Sequence, residues 1–256
     1  MSQGPVLLER SGRAATVRLN RPPLNILDIA TIEALDSALA ELANDSDVQL
    51  VVLRGAGGKA FSAGVSIQDH TPEKVDGMLK GFHGAIRRLR DLEAVTLAAI
   101  DGHCLGGGME LAFACDMALA AEECKFGLPE ILLGCYPPVA AAMFPQRIGT
   151  QRAFEMALTG RNYTSAEILA MGLLNACVPK SEFEARLEAF TGDLLAKSGA
   201  VLRLTKRALR AGESQPFRPA LHQAERIYLD ELCATADIEE GIQAFLEKRT
   251  AVWKHR

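Results

Sequence analysis

No long run of lysine or arginine interrupts this 256-residue chain, whose formal charge is −4. Nucleic acid and acidic membrane surfaces are therefore not expected as general partners. No apolar stretch approaches the roughly 18 residues that a membrane span needs. Residues 1–9 also lack the basic segment followed by an apolar one that marks a secretory leader. The expectation is a cytoplasmic protein acting on a small molecule. The six cysteines, Cys104, Cys115, Cys124, Cys135, Cys177 and Cys233, form no C-x-x-C pair and do not alternate with histidines. A metal cluster is thus not expected, and free thiols are. Tandem repeats, low-complexity tracts and long linkers are missing as well. What remains is an ordinary globular composition, 48% apolar and 23% charged, which can bury a sizeable core.

Residues 6–9 and 15–19 read as paired strands, after which Pro22 and Pro23 break regular structure. Ile32, Leu35, Ala38, Leu39 and Leu42 recur at helical spacing, and residues 49–53 form a short apolar run ending at glycines, the mark of a buried strand. The order then repeats, with a helix over 73–92, a strand over 95–100, glycines, a short helix and a strand over 117–120. Alternation of this kind predicts an α/β core with crossover connections. From about Thr150 helical periodicity dominates, interrupted by a strand over 173–178, and Thr164-Ser165-Ala166-Glu167 is a capping box. The expected division is a core over 1–197 and a helical oligomerisation region over 198–256. Within the latter, a helix over 219–234 sets Leu221, Ala224, Ile227, Tyr228 and Leu232 on one side.

The chemistry concentrates at Asp101-Gly102-His103-Cys104-Leu105-Gly106-Gly107-Gly108-Met109-Glu110. Three glycines let a backbone approach a ligand closely, and a helix starting there aims free N–H groups at it. A tight packing turn explains the glycines alone equally well. A second strand-to-turn junction, Phe61-Ser62-Ala63-Gly64-Val65-Ser66, offers another N–H. Two such donors can share one carbonyl oxygen and stabilise a developing enolate, so a thioester is the natural substrate group. Glu110 opens an otherwise apolar helix, where packing gives no reason for a charge, although the helix dipole gives a modest one. Glu130 sits among Leu128, Pro129, Ile131 and Leu132, and apolar walls raise a carboxyl group toward the range of a general acid.

These residues also form a pattern: G-G-G-x-E at 106–110, K-F-G-x-P-E-I-x-L-G at 125–134, F-S-x-G at 61–64, N-R-P at 20–22 and A-F-L-E-K-R at 244–249. Over nearly its whole length the chain resembles the enoyl-CoA hydratase/isomerase (crotonase) family. The resemblance implies an α/β fold, a crotonase-like spiral of ββα units with a helical C-terminal trimerisation region, assembled as a homotrimer or as a homohexamer made of two trimers. It implies an oxyanion hole from the N–H groups of Val65 and Gly107, with Glu110 and Glu130 as the catalytic carboxylates. It further implies substrate or coenzyme A contacts at Arg21, Leu24, Ala63, Ser66, Ile67, Pro129 and Pro138. Phe245 and Lys248 would meet the adenine and phosphate end of coenzyme A, often from a neighbouring subunit. No cofactor or metal is implied, because coenzyme A is part of the acyl-CoA substrate. Residues 64–70, 78–84 and 228–232 are similar to the alicyclic dienoyl-CoA hydratases of anaerobic aromatic degradation, which act on cyclohexa-1,5-diene-1-carbonyl-CoA.

The chain departs from the family pattern at two places. Val65-Ser66 stands where Ala-Asp is usual, and the branched side chain narrows the site. Pro137-Pro138-Val139-Ala140-Ala141-Ala142 replaces P-G-A-G-G, so a proline without an N–H stands beside the expected water. His70 follows Asp69 and could be polarised by it, or be merely structural. His83 and His103 carry weaker signals, Arg21 is either a phosphate contact or an exposed turn residue, and Tyr136 and Trp253 suit either core or pocket. Both glutamates favour a hydratase over a single-base isomerase. Net acidity and the retained carboxylates weigh against a noncatalytic acyl-CoA-binding or RNA-binding protein.

Overall fold

In the computed structural model, which describes residues 4–256, the chain opens with an antiparallel hairpin, β1 (Val6–Ser11) and β2 (Ala14–Leu19). The part of the leader reading that falls on residues 1–3 lies outside the described residues. α1 (Ile29–Ala43) follows, capped by the Asp28 carboxylate, which accepts from the Thr31 N–H at 2.9 Å. Its buried stripe is Ile32, Leu35, Leu39 and Leu42, the periodic residues expected from the sequence apart from Ala38.

Three turns of a spiral come next, each sending one strand to a large sheet and one to a small sheet before a helix closes it. The first is β3 (Leu50–Gly55), β4 (Ala60–Ser62) and α2 (Val75–Asp91). The second is β5 (Val95–Ile100), β6 (His103–Leu105) and α3 (Gly107–Ala114). The third is β7 (Met117–Ala121), β8 (Lys125–Gly127), a 3₁₀ turn over Pro129–Leu133 and α4 (Pro138–Ile148). α5 (Thr150–Thr159), β9 (Asn162–Thr164), α6 (Ser165–Ala170), β10 (Ala176–Val178) and α7 (Phe183–Leu195) complete the core. The large sheet runs β1-β2-β3-β5-β7-β10 and the small one β4-β6-β8-β9. β3, β5 and β7 pair in parallel, and all six residues of β5 are buried. Such strands are covered on both faces, which is why they read as continuous apolar runs and not as alternating ones. The result is a mixed α/β spiral of ββα units, as the resemblance implies.

The remaining helices are α8 (Gly199–Ser214), capped by Ser198, then α9 (Phe217–Arg226) and α10 (Ala236–Glu247). Lys206 of α8 reaches into the core, where its Nζ meets the Ala94 carbonyl and the Asp116 carboxylate, both at 2.8 Å. Arg210 meets the same carboxylate at 2.5 Å. Among the described residues no helix is long and apolar enough to cross a membrane.

Two expectations change in detail. The strand expected over 173–178 is only Ala176–Val178, because Leu173 donates back to the Ile168 carbonyl and closes α6, while Asn175 pairs with Ala118 at the sheet edge. The helix expected over 219–234 is α9 only to Arg226, followed by a π turn over Ile227–Glu231 and a 3₁₀ turn over Leu232–Ala234. Of the expected stripe, Ile227 is buried while Leu221 and Tyr228 are exposed.

Candidate active site

Where the two sheets meet, β4 and β6 each end in a turn, and the turns touch. Gly64 has φ +102°, and a Cβ there would stand 3.1 Å from the Leu105 carbonyl and 3.3 Å from the Gly107 nitrogen. Gly106 has φ +53°, and its Cβ would stand 2.9 Å from Oε1 of Glu130. Both a left-handed backbone and a close approach therefore require glycine at these two positions. Leu27 and Val65 form a parallel bridge in which Leu27 N–H donates to Gly64 and Ser66 N–H donates to Leu27. Val65 N–H is left facing the other way. Neither it nor the Gly107 N–H, first in α3, has an acceptor among the described residues.

These N–H groups border a cleft of about 390 Å³ lined by Ala63, Val65, Ile67, Gly107, Glu110, Pro129, Glu130 and Pro138, all named from the sequence, and by the side of α2. Glu110 is 3% exposed. Its Oε1 accepts the Ala140 N–H at 2.9 Å. Burial pushes its carboxyl group up to about 7, opposed by the N–H groups of Ala140 and Val139 and reinforced by the Glu130 charge. Glu130 is also raised by burial, opposed by its own N–H and by His70, and its buried Oε2 has no hydrogen-bond partner among the described residues. Two carboxyl groups with elevated proton affinity thus share one cleft with two unpaired N–H groups. The arrangement can take up a proton, deliver one, and hold an oxygen that gains negative charge.

The proline substitution acquires a physical meaning here. Pro138 is the first residue of α4, where a helix has an N–H to spare, so its missing donor costs no helical bond. The Ala140 N–H, two residues on in the same turn, holds Glu110.

Other residues fall elsewhere. Arg21 pairs with Asp28 at 2.5 Å and does not border the cleft. Leu24 and Ser66 also lie outside its lining; they serve through backbone bonds to Ala63, Leu27 and His70. Phe245, 84% exposed on α10, and Lys248 at its end are not cleft residues of a single chain. Trp253 packs on Gly241 and donates to the Ala196 carbonyl at 2.8 Å, away from the cleft, whereas Tyr136 lines it. His103 accepts from the Lys125 N–H and is not in the lining.

His70 does line the cleft, but Asp69 does not polarise it. The Asp69 carboxylate is taken by Lys74 at 3.1 Å and by the Ile29 N–H at 3.3 Å, and the ring Nδ1 donates instead to the Ser66 carbonyl at 2.9 Å. Val75, Met78, Leu79 and Phe82 carry no individual mark in the sequence; their helical spacing on α2 was the available signal.

A ββα spiral carrying paired carboxylates, one buried and one half-buried, beside a glycine turn defines a class, the crotonase-fold enzymes. The family model for enoyl-CoA hydratase/isomerase matches residues 9–256. The chain is 39% identical to cyclohexa-1,5-dienecarbonyl-CoA hydratase of Thauera aromatica, over 98% of this chain and 96% of that protein. It is 33% identical to short-chain-enoyl-CoA hydratase of Clostridium acetobutylicum over 97% of both. An enoyl-CoA hydratase crystal structure from Bacillus anthracis superposes with a TM-score of 0.93 at 30% identity, covering 98% of this chain and all 100% of that one. The chain belongs to the enoyl-CoA hydratase/isomerase (crotonase) family, as an enzyme of the hydro-lyase type.

Proposed function

We propose that the chain adds water to a conjugated alicyclic enoyl-CoA, with Glu110 and Glu130 as its proton-transfer groups and Val65 and Gly107 as its oxyanion donors. The observation that carries this reading is the pair of raised carboxyl groups facing one cleft beside two unpaired N–H groups. In the proposed reaction the thioester oxygen lies against those N–H groups. The water oxygen bonds to the β-carbon, the π pair moves through the α-carbon to the thioester oxygen, and one water proton passes to Glu110. Collapse of the enolate draws the Glu130 proton onto the α-carbon. Proton exchange with solvent then restores both carboxyl groups. Negative charge on oxygen exists only after addition begins, so the N–H groups bind the transition state more tightly than the substrate.

A ring-shaped acyl group is supported by the named substrate of the Thauera relative and by a cleft narrowed by Val65 and walled by Pro129, Pro137 and Pro138. Coenzyme A enters as part of the substrate, and the proposed steps draw on no cofactor. A closed homotrimer, or two such trimers, belongs to the same proposal, with Phe245 and Lys248 serving a neighbour's coenzyme end. The test is a panel of crotonyl-CoA, cyclohex-1-enecarbonyl-CoA and cyclohexa-1,5-diene-1-carbonyl-CoA, with mass spectrometry for added water. Preferred hydration of the diene is expected. Faster turnover of crotonyl-CoA than of either ring refutes the alicyclic preference, and no added water with any of them refutes the hydratase reading.

A further inference from the structure

α2 presents one stripe to the cleft, made of Val75, Met78, Leu79, Phe82 and His83. Four of these are apolar. His83 is not, and its buried Nε2 has no hydrogen-bond partner among the described residues. Burial, reinforced by the charge of Arg87 one turn on, holds the imidazole below its ordinary value of 6.5. At neutral pH the ring is therefore uncharged, and Nε2 is a single donor or a single acceptor. An unpaired buried nitrogen destabilises the free protein, and a leucine or phenylalanine like its neighbours would pack there without that cost. The stripe lies at the acyl end of the cleft: Cζ of Phe82 comes 3.4 Å from where a Cβ on Gly107 would stand.

We propose that His83 is a specificity-determining residue that pairs through Nε2 with a hydroxyl group carried on the acyl part of the ligand. This rests on the acyl-CoA reading of the cleft and adds a second requirement to it. A hydroxyl both donates and accepts, so it satisfies either neutral tautomer, whereas a keto oxygen satisfies only one. The hydroxyl lies beyond the thioester carbonyl held at Val65 and Gly107, on the part of the acyl group that packs along α2.

Isothermal titration with cyclohexanecarbonyl-CoA and its 3- and 4-hydroxy derivatives tests this without turnover, since none carries a double bond to hydrate or a β-hydroxyl to eliminate. At least one hydroxylated ligand should bind the wild type about 10-fold more tightly than the unsubstituted one, the size of one well-made hydrogen bond to an otherwise unpaired group. His83→Phe should erase that preference while leaving the unsubstituted ligand bound as well or better, and His83→Gln should restore part of it. His83→Leu, matching Leu79, replaces the Phe variant if the latter does not fold. No preference in the wild type, or a preference that survives removal of the imidazole, overturns the proposal. Absence of binding by all three ligands overturns the acyl-CoA reading itself, which separates the two failures.

Discussion

Replacing Glu110 by Gln should make the protein more stable above neutrality while it removes activity. The carboxyl group is 3% exposed and sits at about 7 against an ordinary 4.5. A raised value means that the folded chain holds the proton more tightly than the unfolded chain does. The stability this confers is fully present below 4.5 and is lost as pH rises through about 7. At pH 8 the wild type thus keeps a buried charge that the unfolded chain would hydrate. At about 1.4 kcal/mol per pH unit, the interval sets a ceiling of about 3 kcal/mol. The substituted amide cannot ionise and can still accept the Ala140 N–H, but its NH₂ group brings a new donor into an apolar place, which takes back part of the gain. A net stabilisation of about 1–2 kcal/mol is expected at pH 8, shrinking toward zero near pH 4.5. Urea denaturation of both proteins at one protein concentration, from pH 4.5 to 8.5, measures the difference. A variant that is less stable at pH 8, or whose offset does not vary with pH, refutes the burial argument.

Gly107→Pro removes an N–H that faces the cleft and should lower kcat by about 10²-fold or more with acyl-CoA affinity largely kept. A Cβ there comes 2.7 Å from Cγ2 of Val65, so the comparison belongs in a Val65→Ala background with circular dichroism as the fold control, and an unchanged kcat takes Gly107 out of the mechanism. Asp116→Ala strips Lys206 and Arg210 of a shared carboxylate and should destabilise the chain by about 3 kcal/mol in urea, because it leaves two largely buried cations underpaired; a loss below about 1 kcal/mol contradicts this. Light scattering should show a closed homo-oligomer. A monomer persisting at micromolar concentration contradicts both the assembly and a role for Phe245 and Lys248 in a neighbour's site.

What was legible in the sequence follows from how local each signal is. Val95 to Ile100 reads as a buried strand because it is apolar on both faces, and the Thr164 to Glu167 capping box is a contact between residues three apart. Glu110 and Glu130 are conspicuous as charges set among apolar neighbours. The three-residue strands β4, β6 and β8 are too short for any period, so the second sheet was invisible. Partner choice was equally hidden. Asp69 adjoins His70 in sequence yet pairs with Lys74, and the N–H that holds Glu110 comes from Ala140, thirty positions away. The π turn after Arg226 keeps the backbone helical while shifting its register, which no count of apolar residues reveals.

The central claim is that two carboxyl groups share the proton transfers, and the kcat of Glu110→Gln and Glu130→Gln on an enoyl-CoA that the wild type hydrates tests it most directly. Each change keeps size and shape while abolishing proton transfer. Either should lower kcat by about 10²-fold or more with KM moving much less. If only one of them does so, the two-carboxylate hydration is contradicted and a single-base isomerase becomes the better account of the cleft.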